Sequence, residues 1–398
     1  MIFKSINKTQ LIILLSSFVI FVNSQKSIAQ VAYTAVPFLE TVLDVRMQAL
    51  GNSFVSFYGN EGAYEINPAS IINTDDLSFN FTKREWNLFS GNTPHKYYQY
   101  GIQSGIGKWG ISYQGRYVDY AENSFGSSEE MEYYQNLAAS YNNEKNLRIG
   151  LGLNYIYSYS GELFKETGES LGDFDANALS VDIGFAYERA IEPKNDWTFT
   201  PSIGSSLSDF GTLVKYSGQE EGDPLPMRFR IGMGLTTDFA HDWNGFQLFR
   251  GDVAFAISKF LIAIERDENG DFQKFGPFET LVKAWGSFEA VDPNTGRSKE
   301  YSLGEQLIFH SGLELNFLES FSFRLGYQNG QELNSFYSIR SVGFGIDLYY
   351  IALDYVNSVQ YDEDYENIDT PINGEFLQVT GRIPLDGKSP KSLLRLLF

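Results

Sequence analysis

The side chains that most often carry catalysis or bind metals are sparse in this sequence. It contains no cysteine, and its three histidines, His95, His241 and His310, stand far apart. Metal sites and nucleophilic triads place a histidine near further ligands or a base, often at a short spacing. We interpret the three as ordinary polar residues and expect no metal, no cofactor and no enzymatic activity. A two-carboxylate hydrolase remains an alternative, but no pair stands out among the 50 acidic residues.

Two acidic segments have the composition of a cation site. Asp267–Asp271 looks like the start of a calcium loop. However, Phe272 stands where that loop needs glycine, and Phe278 stands where it needs glutamate. We therefore expect a solvated hairpin tip. The second is an acidic run that could bind divalent cations or protein partners, although a solvated extracellular loop is the preferred interpretation; it comprises Asp362, Glu363, Asp364, Glu366 and Asp369.

The N-terminus predicts export. Lys4 and Lys8 precede an apolar run from Leu11 to Val22, and Ser27 and Ala29 fit the small-x-small pattern of a cleavage site. The run is shorter than the ~20 residues of a transmembrane helix. We expect residues 1–29 to be a signal peptide and residues 30–398 to form one domain. A lone N-terminal anchor helix is the alternative.

The charge balance limits the partners. The formal net charge is −20, and removal of residues 1–29 takes away Lys4, Lys8 and Lys26 but no acidic residue, which gives −23. Phosphate binding needs basic patches, so we exclude nucleic acid as a partner. Aromatic residues make up 16% of the chain and glycines number 37. The aromatic girdles and the polar, glycine-rich lumen of a membrane barrel explain both excesses, whereas a large secreted β-sandwich or propeller is the weaker alternative.

Several segments alternate between apolar and polar residues with a period of two, as strands between two environments do. Beyond Ala29 no apolar stretch is long enough for a transmembrane helix, so any membrane span must consist of strands in a closed barrel. A charged side chain facing lipid costs about 2–4 kcal/mol at the bilayer centre for arginine or lysine, and less for aspartate. The charged residues of the polar faces should therefore point into the lumen; they are Arg148, Arg228, Arg230, Arg324 and Asp347.

The strand pattern predicts an all-β fold, a transmembrane antiparallel β-barrel of about 14 strands between Leu77 and Pro384. Asn269-Gly270 and Asn329-Gly330 are hairpin-type pairs, and longer polar stretches such as 161–175 are expected to be loops. Longer loops of such barrels are extracellular and short ones periplasmic. Phe398 fits the terminal aromatic of many barrels, but the preceding leucines do not alternate. The last strand is therefore expected at Gly374–Pro384.

The segment before the first clear strand is rich in small residues and contains an Asn-Pro pair, which favours a turn. From the residues alone, 30–76 is expected to form a compact N-terminal plug or turn. The segment resembles the N-terminal signature of the PorV/PorQ family of outer-membrane proteins, relatives of the FadL-type channels. The matching residues are Arg46, Ala49, Leu50, Gly51, Asn67, Pro68 and Ala69. Weaker matches follow around Pro226, Glu314, Arg324, Gly343 and Asp354.

The resemblance implies a barrel of about fourteen strands whose N-terminal segment folds into the lumen. It also gives two functional hypotheses. In the first, the protein acts in type IX secretion or cell-surface attachment by binding secreted cargo or secretion-system components, with outer-membrane lipid around it. In the second, it is a FadL-like channel for hydrophobic small molecules. The predicted lumen of glycine, arginine and aspartate favours the first, because a channel of the second kind needs an apolar pocket.

Overall fold

A computed structural model describes residues 34–58, 61–71, 75–86, 95–120, 130–143, 146–164, 170–194, 196–219, 221–261, 263–266, 272–291, 298–329, 338–361 and 372–385. Four predictions from the sequence fall outside the described residues. They concern the signal peptide, the tip of the calcium-like segment at 267–271, the acidic run at 362–369 and the C-terminal tail at 389–398.

Fourteen antiparallel strands form a closed barrel, as the alternating pattern predicts. Each strand pairs with its sequence neighbours, and the last pairs with the first, with Phe79 opposite Gly381. The strands are β1 (Asp76–Trp86), β2 (His95–Ile106), β3 (Trp109–Asp119), β4 (Met131–Asn142), β5 (Leu147–Phe164), β6 (Ser170–Glu188), β7 (Trp197–Gly211), β8 (Arg228–Phe239), β9 (Phe249–Phe260), β10 (Ile308–Phe317), β11 (Phe321–Gln328), β12 (Ser338–Asp347), β13 (Ile351–Tyr361) and β14 (Ile372–Pro384).

Smaller elements decorate the ends of the barrel. Ile191–Lys194 pairs with part of β7, and three two-stranded ribbons lie in the connections, at Asp242–Trp243 with Phe246–Gln247, Ile264–Arg266 with Phe272–Lys274, and Phe288–Val291 with Ser298–Tyr301. The helices are α1 (Val45–Ala49), α2 (Pro277–Lys283) and 3₁₀ turns at Pro37–Glu40, Ala63–Glu65, Pro68–Ser70 and Gly304–Gln306. Within the described ranges no helix is both long and apolar enough to span a membrane.

The two faces of the wall differ in chemistry. On β5 the outward Ile149, Leu151 and Leu153 are more than half exposed, whereas the inward Arg148 and Asn154 are buried. The same alternation holds on the other strands, so the outer surface is apolar and the inner surface is largely polar. A closed barrel with this pattern satisfies its backbone groups in lipid and is a transmembrane barrel of the outer membrane.

The ends of the barrel also differ. At one end short turns join the strands, for example between Ile106 and Trp109 and between Phe317 and Phe321. The connections at the other end are longer, and that between β9 and β10 runs from residue 261 to 307. Aromatic pairs mark the short-turn end, with the rings of Trp109 and Tyr141 4.9 Å apart. By the usual orientation of such barrels, the short-turn end is periplasmic and the long-loop end is extracellular.

One prediction about the connections is wrong. The stretch 161–175, expected to be a loop, lies mostly in strands, because β5 runs to Phe164 and β6 begins at Ser170. Their pairing continues past register shifts, so the two strands project beyond the apolar band. Asn329-Gly330 falls between two antiparallel neighbours, as a hairpin-type pair should, although their connection is longer than two residues because β11 ends at Gln328 and β12 begins at Ser338. The last strand, Ile372–Pro384, lies where the alternation placed it.

Candidate functional site

Residues 34–58 and 61–71, which precede β1, contact inward-facing side chains on opposite sides of the barrel; we call them the N-terminal segment. The backbone N–H of Val45 donates to Gln378 on β14 at 3.1 Å. Ser206 on β7 donates through its hydroxyl to the carbonyl of Ile66 at 2.7 Å. These contacts place the segment inside the lumen, between walls that are far apart in the sequence.

The Asn-Pro-Ala turn is fixed by the amide of Asn67. Its Oδ1 accepts from the N–H of Ala69 at 3.0 Å and so caps the 3₁₀ turn Pro68–Ser70. Its Nδ2 donates to the carbonyls of Val55 and Phe185, at 2.7 and 3.0 Å. Asn67 thereby satisfies backbone groups of both the segment and β6. The residue types of the motif are therefore explained by docking, not by chemistry on a ligand.

Inward-facing glycines make room for this turn. A Cβ atom on Gly150 would lie 2.2 Å from the carbonyl carbon of Pro68, and one on Gly184 would lie 2.1 Å from Oδ1 of Asn67. Real Cβ atoms do not approach so closely, so only glycine fits at these two positions of β5 and β6. The glycines on the polar faces of the strands are thus the docking surface for the N-terminal segment.

The other end of the motif docks in the same way on β11. Gly51 has a φ of +60°, a left-handed conformation that other residues rarely adopt. A Cβ on Gly326 would lie 2.2 Å from the nitrogen of Gly51. Ala49 and Leu50 are fully buried beside it. The small residues of the motif therefore let backbone pack directly on backbone.

Arg46 of the motif enters a buried ion network. Glu314 on β10 is fully buried and accepts from Nε and Nη2 of Arg46 at 2.7 and 2.5 Å. It also accepts from Nε of Arg324 at 2.6 Å, and Nη1 of Arg324 donates to Asp354 on β13 at 2.5 Å. Glu314 thus joins two of the residues singled out in the sequence. Glu314 was not among the charged residues predicted to face the lumen, but the same argument applies to it, because a charged side chain on a membrane strand is costly when it faces lipid.

The remaining charged residues of the polar faces lie on the inner wall but apart from this network. Arg148 stacks 4.0 Å from the ring centre of Tyr58, and Arg228 lies 3.8 Å from that of Phe260. Arg230 donates to Ser208 at 3.1 Å. Asp347 stands at the short-turn end and accepts from Arg382 at 2.8 Å.

A polar cavity of about 600 Å³ lies at the short-turn end, beneath the ion network. Its lining includes Arg46, Arg250, Arg324 and Arg382, with carboxylates beside them. Each of these arginines is already paired with an acidic side chain, namely Glu314, Asp252, Asp354 and Glu61. The cavity is therefore a polar vestibule that carries both signs of charge, with six carboxylates and four arginines in its lining.

A second buried ion pair lies deeper in the lumen. Glu65 of the N-terminal segment pairs with Arg116 on β3 and accepts from the N–H groups of Leu43 and Asp44, at 2.6 and 2.9 Å. Asp44 caps α1 by accepting from Met47 at 2.8 Å. Burial, reinforced by the nearby carboxylate of Glu65, raises the pKa of Asp44 from 3.8 to about 6.

The lumen near the long-loop end is apolar, which the sequence analysis did not anticipate. Side chains from β2 to β6 meet the start of the N-terminal segment in a cluster that we call the apolar cluster. From the segment it contains Ala35, Val36, Phe38 and Leu43, from the strands Tyr97, Val118, Tyr134, Ile156, Ala176 and Ala178, and from the connection between β7 and β8 Val214 and Leu225. All are buried.

The predicted lumen of glycine, arginine and aspartate is therefore wrong at this end. The sequence carried a signal for it in Ile156, an apolar residue on the otherwise polar face of β5 between Asn154 and Ser158. Its cross-strand neighbours Tyr134 and Ala178 break the alternation in the same row. A single apolar residue on a polar face is not informative by itself. Only the strand register shows that these apolar exceptions lie side by side on neighbouring strands.

Groups for metal binding do not assemble in the described part of the chain. It holds no cluster of three or more histidine, cysteine or acidic side chains suited to a metal ion. His310 bonds through its two ring nitrogens to the carbonyl of Gly51 and the hydroxyl of Ser258, at 2.8 and 2.9 Å. Its role is to hold the N-terminal segment against β9 and β10.

No protein-family model and no curated protein matches the chain. Among solved structures it is similar to the toluene transporter TbuX of Ralstonia pickettii, with 11% identity, a TM-score of 0.40 and coverage of 84% of this chain and 96% of that one. It is also similar to the CymD monoaromatic hydrocarbon channel, with 11% identity, a TM-score of 0.45 and coverage of 86% of this chain and 97% of that one. For a FadL homologue of Pseudomonas aeruginosa the identity is 9% and the TM-score 0.38, and the match covers 90% of this chain and 99% of that one. By its own architecture, the chain is a fourteen-stranded β-barrel of the outer membrane with its N-terminal segment docked in the lumen.

Proposed function

We propose that this barrel is an outer-membrane channel for small hydrophobic molecules. The observation that carries the proposal is the apolar cluster on the inner wall of β2 to β6, at the long-loop end. Polar side chains are the rule inside membrane barrels, whereas Val118 and Ile156 place apolar surface where a polar lumen has no need of it. An apolar pocket with a few polar groups at its edge is the usual form of a site for a hydrophobic ligand.

The chain's own N-terminal segment occupies this pocket. Phe38 is 2% exposed and packs among the cluster residues, while the N–H of Ala35 donates to the carbonyl of Pro224 at 3.0 Å. A hydrophobic ligand would pack against the same apolar side chains that Phe38 covers. The segment therefore competes with the ligand for the same apolar surface.

Polar groups border the pocket on one side. Glu132 accepts from Tyr120 and from Ser158, the latter at 2.9 Å, and Ser158 lies 2.8 Å from the hydroxyl of Tyr216. Such an arrangement suits a ligand with an apolar body and one polar end. A long-chain fatty acid has that form, and its polar end would meet the hydroxyls of Ser158, Tyr120 and Tyr216, which in this structure bond to Glu132 or to one another.

Equilibrium binding tests this proposal. A fluorescent long-chain fatty acid is titrated against the full-length protein in lipid nanodiscs, with empty nanodiscs as the blank. Wild type should show saturable binding, and Ile156→Asn should weaken it at least tenfold. Val356→Asn is the matched control, because Val356 is also buried against the N-terminal segment but lies outside the apolar cluster. Absence of saturable binding, or an equal loss in both variants, would refute the proposal.

A second candidate is a role in type IX secretion through binding of secreted cargo or secretion-system components. It is supported by the resemblance to the PorV/PorQ family and by the close packing of the N-terminal segment on Gly150, Gly184 and Gly326. A barrel filled in this way is suited to work at its ends, where partners dock. A deletion strain that still exported cargo and attached it to the cell surface would exclude this role. Loss of both with normal fatty-acid uptake would support it.

A further inference from the structure

One stretch of the inner wall holds buried polar atoms that no protein group meets. Five side chains on β2 and β3 are at most 5% exposed, yet each has a donor or acceptor without a hydrogen-bond partner. These atoms are Oε1 of Gln99, Oε1 and Nε2 of Gln103, Oγ of Ser112, Nε2 of Gln114 and Nε of Arg116. Buried polar groups in proteins are nearly always paired with protein or with ordered water, so this concentration needs an explanation.

The strand register places these side chains in three successive rows. Gln103 lies opposite Ser112, Gly101 opposite Gln114, and Gln99 opposite Arg116. Rows on one face of a strand are about 6.7 Å apart, so the three rows extend over about 13 Å along the wall. The unpaired atoms therefore form a continuous vertical strip and not isolated defects.

The N-terminal segment covers this strip without bonding to most of it. The hydroxyl of Tyr64 lies 2.4 Å from where a Cβ on Gly101 would stand, so its side chain passes between the first and third rows. At the upper end of the strip, Glu65 binds Arg116. Above that row Tyr97 and Val118 belong to the apolar cluster, which ends the polar strip.

We propose that a file of bound water molecules fills the seam between the N-terminal segment and β2–β3 and leads to the Glu65–Arg116 ion pair. Water is the ligand that the strip selects, because the amides and the serine hydroxyl offer both donors and acceptors, and the only charge on the strip is the ion-paired Arg116. A water needs two to four polar partners, which successive rows of the strip provide. The apolar cluster closes the strip on the long-loop side of the ion pair. This inference does not depend on the proposed function.

With this file of water, the N-terminal segment contacts the barrel wall in two different ways. Against β5, β6 and β11 the segment packs backbone on glycine, with no room for solvent. Against β2 and β3 it is held directly by the Glu65–Arg116 ion pair at one end of the strip and, in this proposal, through exchangeable water along the rest. The segment is therefore fixed on one side and solvated on the other.

X-ray radiolytic labelling tests the file, because it produces hydroxyl radicals from bound water next to buried side chains. In the full-length protein, Tyr64 should be oxidised at least tenfold faster than Phe54, although both are no more than 5% exposed. In the double variant Gln103→Leu with Gln114→Leu, the rate at Tyr64 should fall toward that of Phe54. Equal rates in wild type, or an unchanged rate at Tyr64 in a folded double variant, would overturn the proposal.

A second measurement, on the wild type, tests the proposal if the double variant fails to fold. A crystal structure of the wild type at a resolution that shows water should reveal separate density peaks within hydrogen-bond distance of Gln103, Ser112 and Gln114. Continuous density of an organic molecule, with a matching mass in native mass spectrometry, would overturn the assignment to water. So would a dry seam in which the amides pair with one another.

Discussion

The carboxylate of Glu314 on β10 receives both Nε and Nη2 of Arg46, at 2.7 and 2.5 Å, across a sequence separation of 268 residues. This two-point contact inside the barrel holds the N-terminal segment against β10. It orients the segment as well as holding it, because a planar guanidinium matches a carboxylate in one geometry.

Removal of Glu314 should destabilise the barrel strongly. Glu314→Ala leaves Arg46 without its carboxylate and takes one partner from Arg324, and loss of one member of a buried pair costs about 3–5 kcal/mol. Guanidinium unfolding in lipid vesicles measures the effect. Glu85→Ala is the control, since Glu85 pairs with Lys83 at the exposed surface, and it should leave the unfolding midpoint unchanged. Equal midpoints for wild type and Glu314→Ala would show that Arg46 does not need this carboxylate.

Enlarging a docking glycine should release the N-terminal segment without opening the barrel. A side chain at Gly184 would overlap Oδ1 of Asn67, so Gly184→Val should expose the segment to limited proteolysis while the strands persist. Gly381→Val is the matched control, because nothing lies within 4 Å of a Cβ placed there. Protection of the segment in both variants would contradict the observed contact.

Acidity should favour the docked segment through Asp44. Burial and the nearby Glu65 raise its pKa from 3.8 to about 6, so this carboxyl adds most stability below pH 3.8 and loses it as the pH rises through 6. Asp44→Asn removes the titration but retains an oxygen to cap α1. The difference in unfolding free energy between variant and wild type should therefore change by on the order of 3 kcal/mol between pH 3.5 and pH 7.5. A difference independent of pH would show that Asp44 is not the group that titrates.

A charge on the outer wall should interfere with insertion according to its depth. Leu151 is 51% exposed in the middle of the apolar face of β5, so Leu151→Arg should cost about 2–4 kcal/mol in lipid vesicles. Ile106→Arg sits beside the turn at Gly107 and should cost much less. Equal costs for the two variants would argue that the exposed apolar face does not contact the hydrocarbon core.

Much of the wall was accessible from the sequence because strand alternation is local. The row of Leu147, Ile149 and Leu151 against Arg148 and Gly150 specifies both faces of β5 without knowledge of any other strand. The same reasoning gave the strand number and the last strand. The energetic cost of a charge in lipid also assigned the charged residues of these strands to the lumen, and Arg324 is buried there.

The interior was less accessible because its contacts join residues that are remote in sequence. Nothing local to Arg46 indicates Glu314, and nothing local to Asn67 indicates Gly184, since each pairing exists only when the barrel closes around the segment. The apolar cluster has the same origin. Tyr134, Ile156 and Ala178 share a row only through the register of β4, β5 and β6.

The most direct test of the central claim is fatty-acid affinity in Phe38→Ala compared with wild type. If the N-terminal segment and a hydrophobic ligand share the apolar cluster, removal of the phenyl ring frees ligand surface and weakens the competitor. The dissociation constant measured in nanodiscs should then fall several-fold, while Ile156→Asn raises it. An unchanged or weaker affinity in a correctly folded Phe38→Ala barrel would contradict the account.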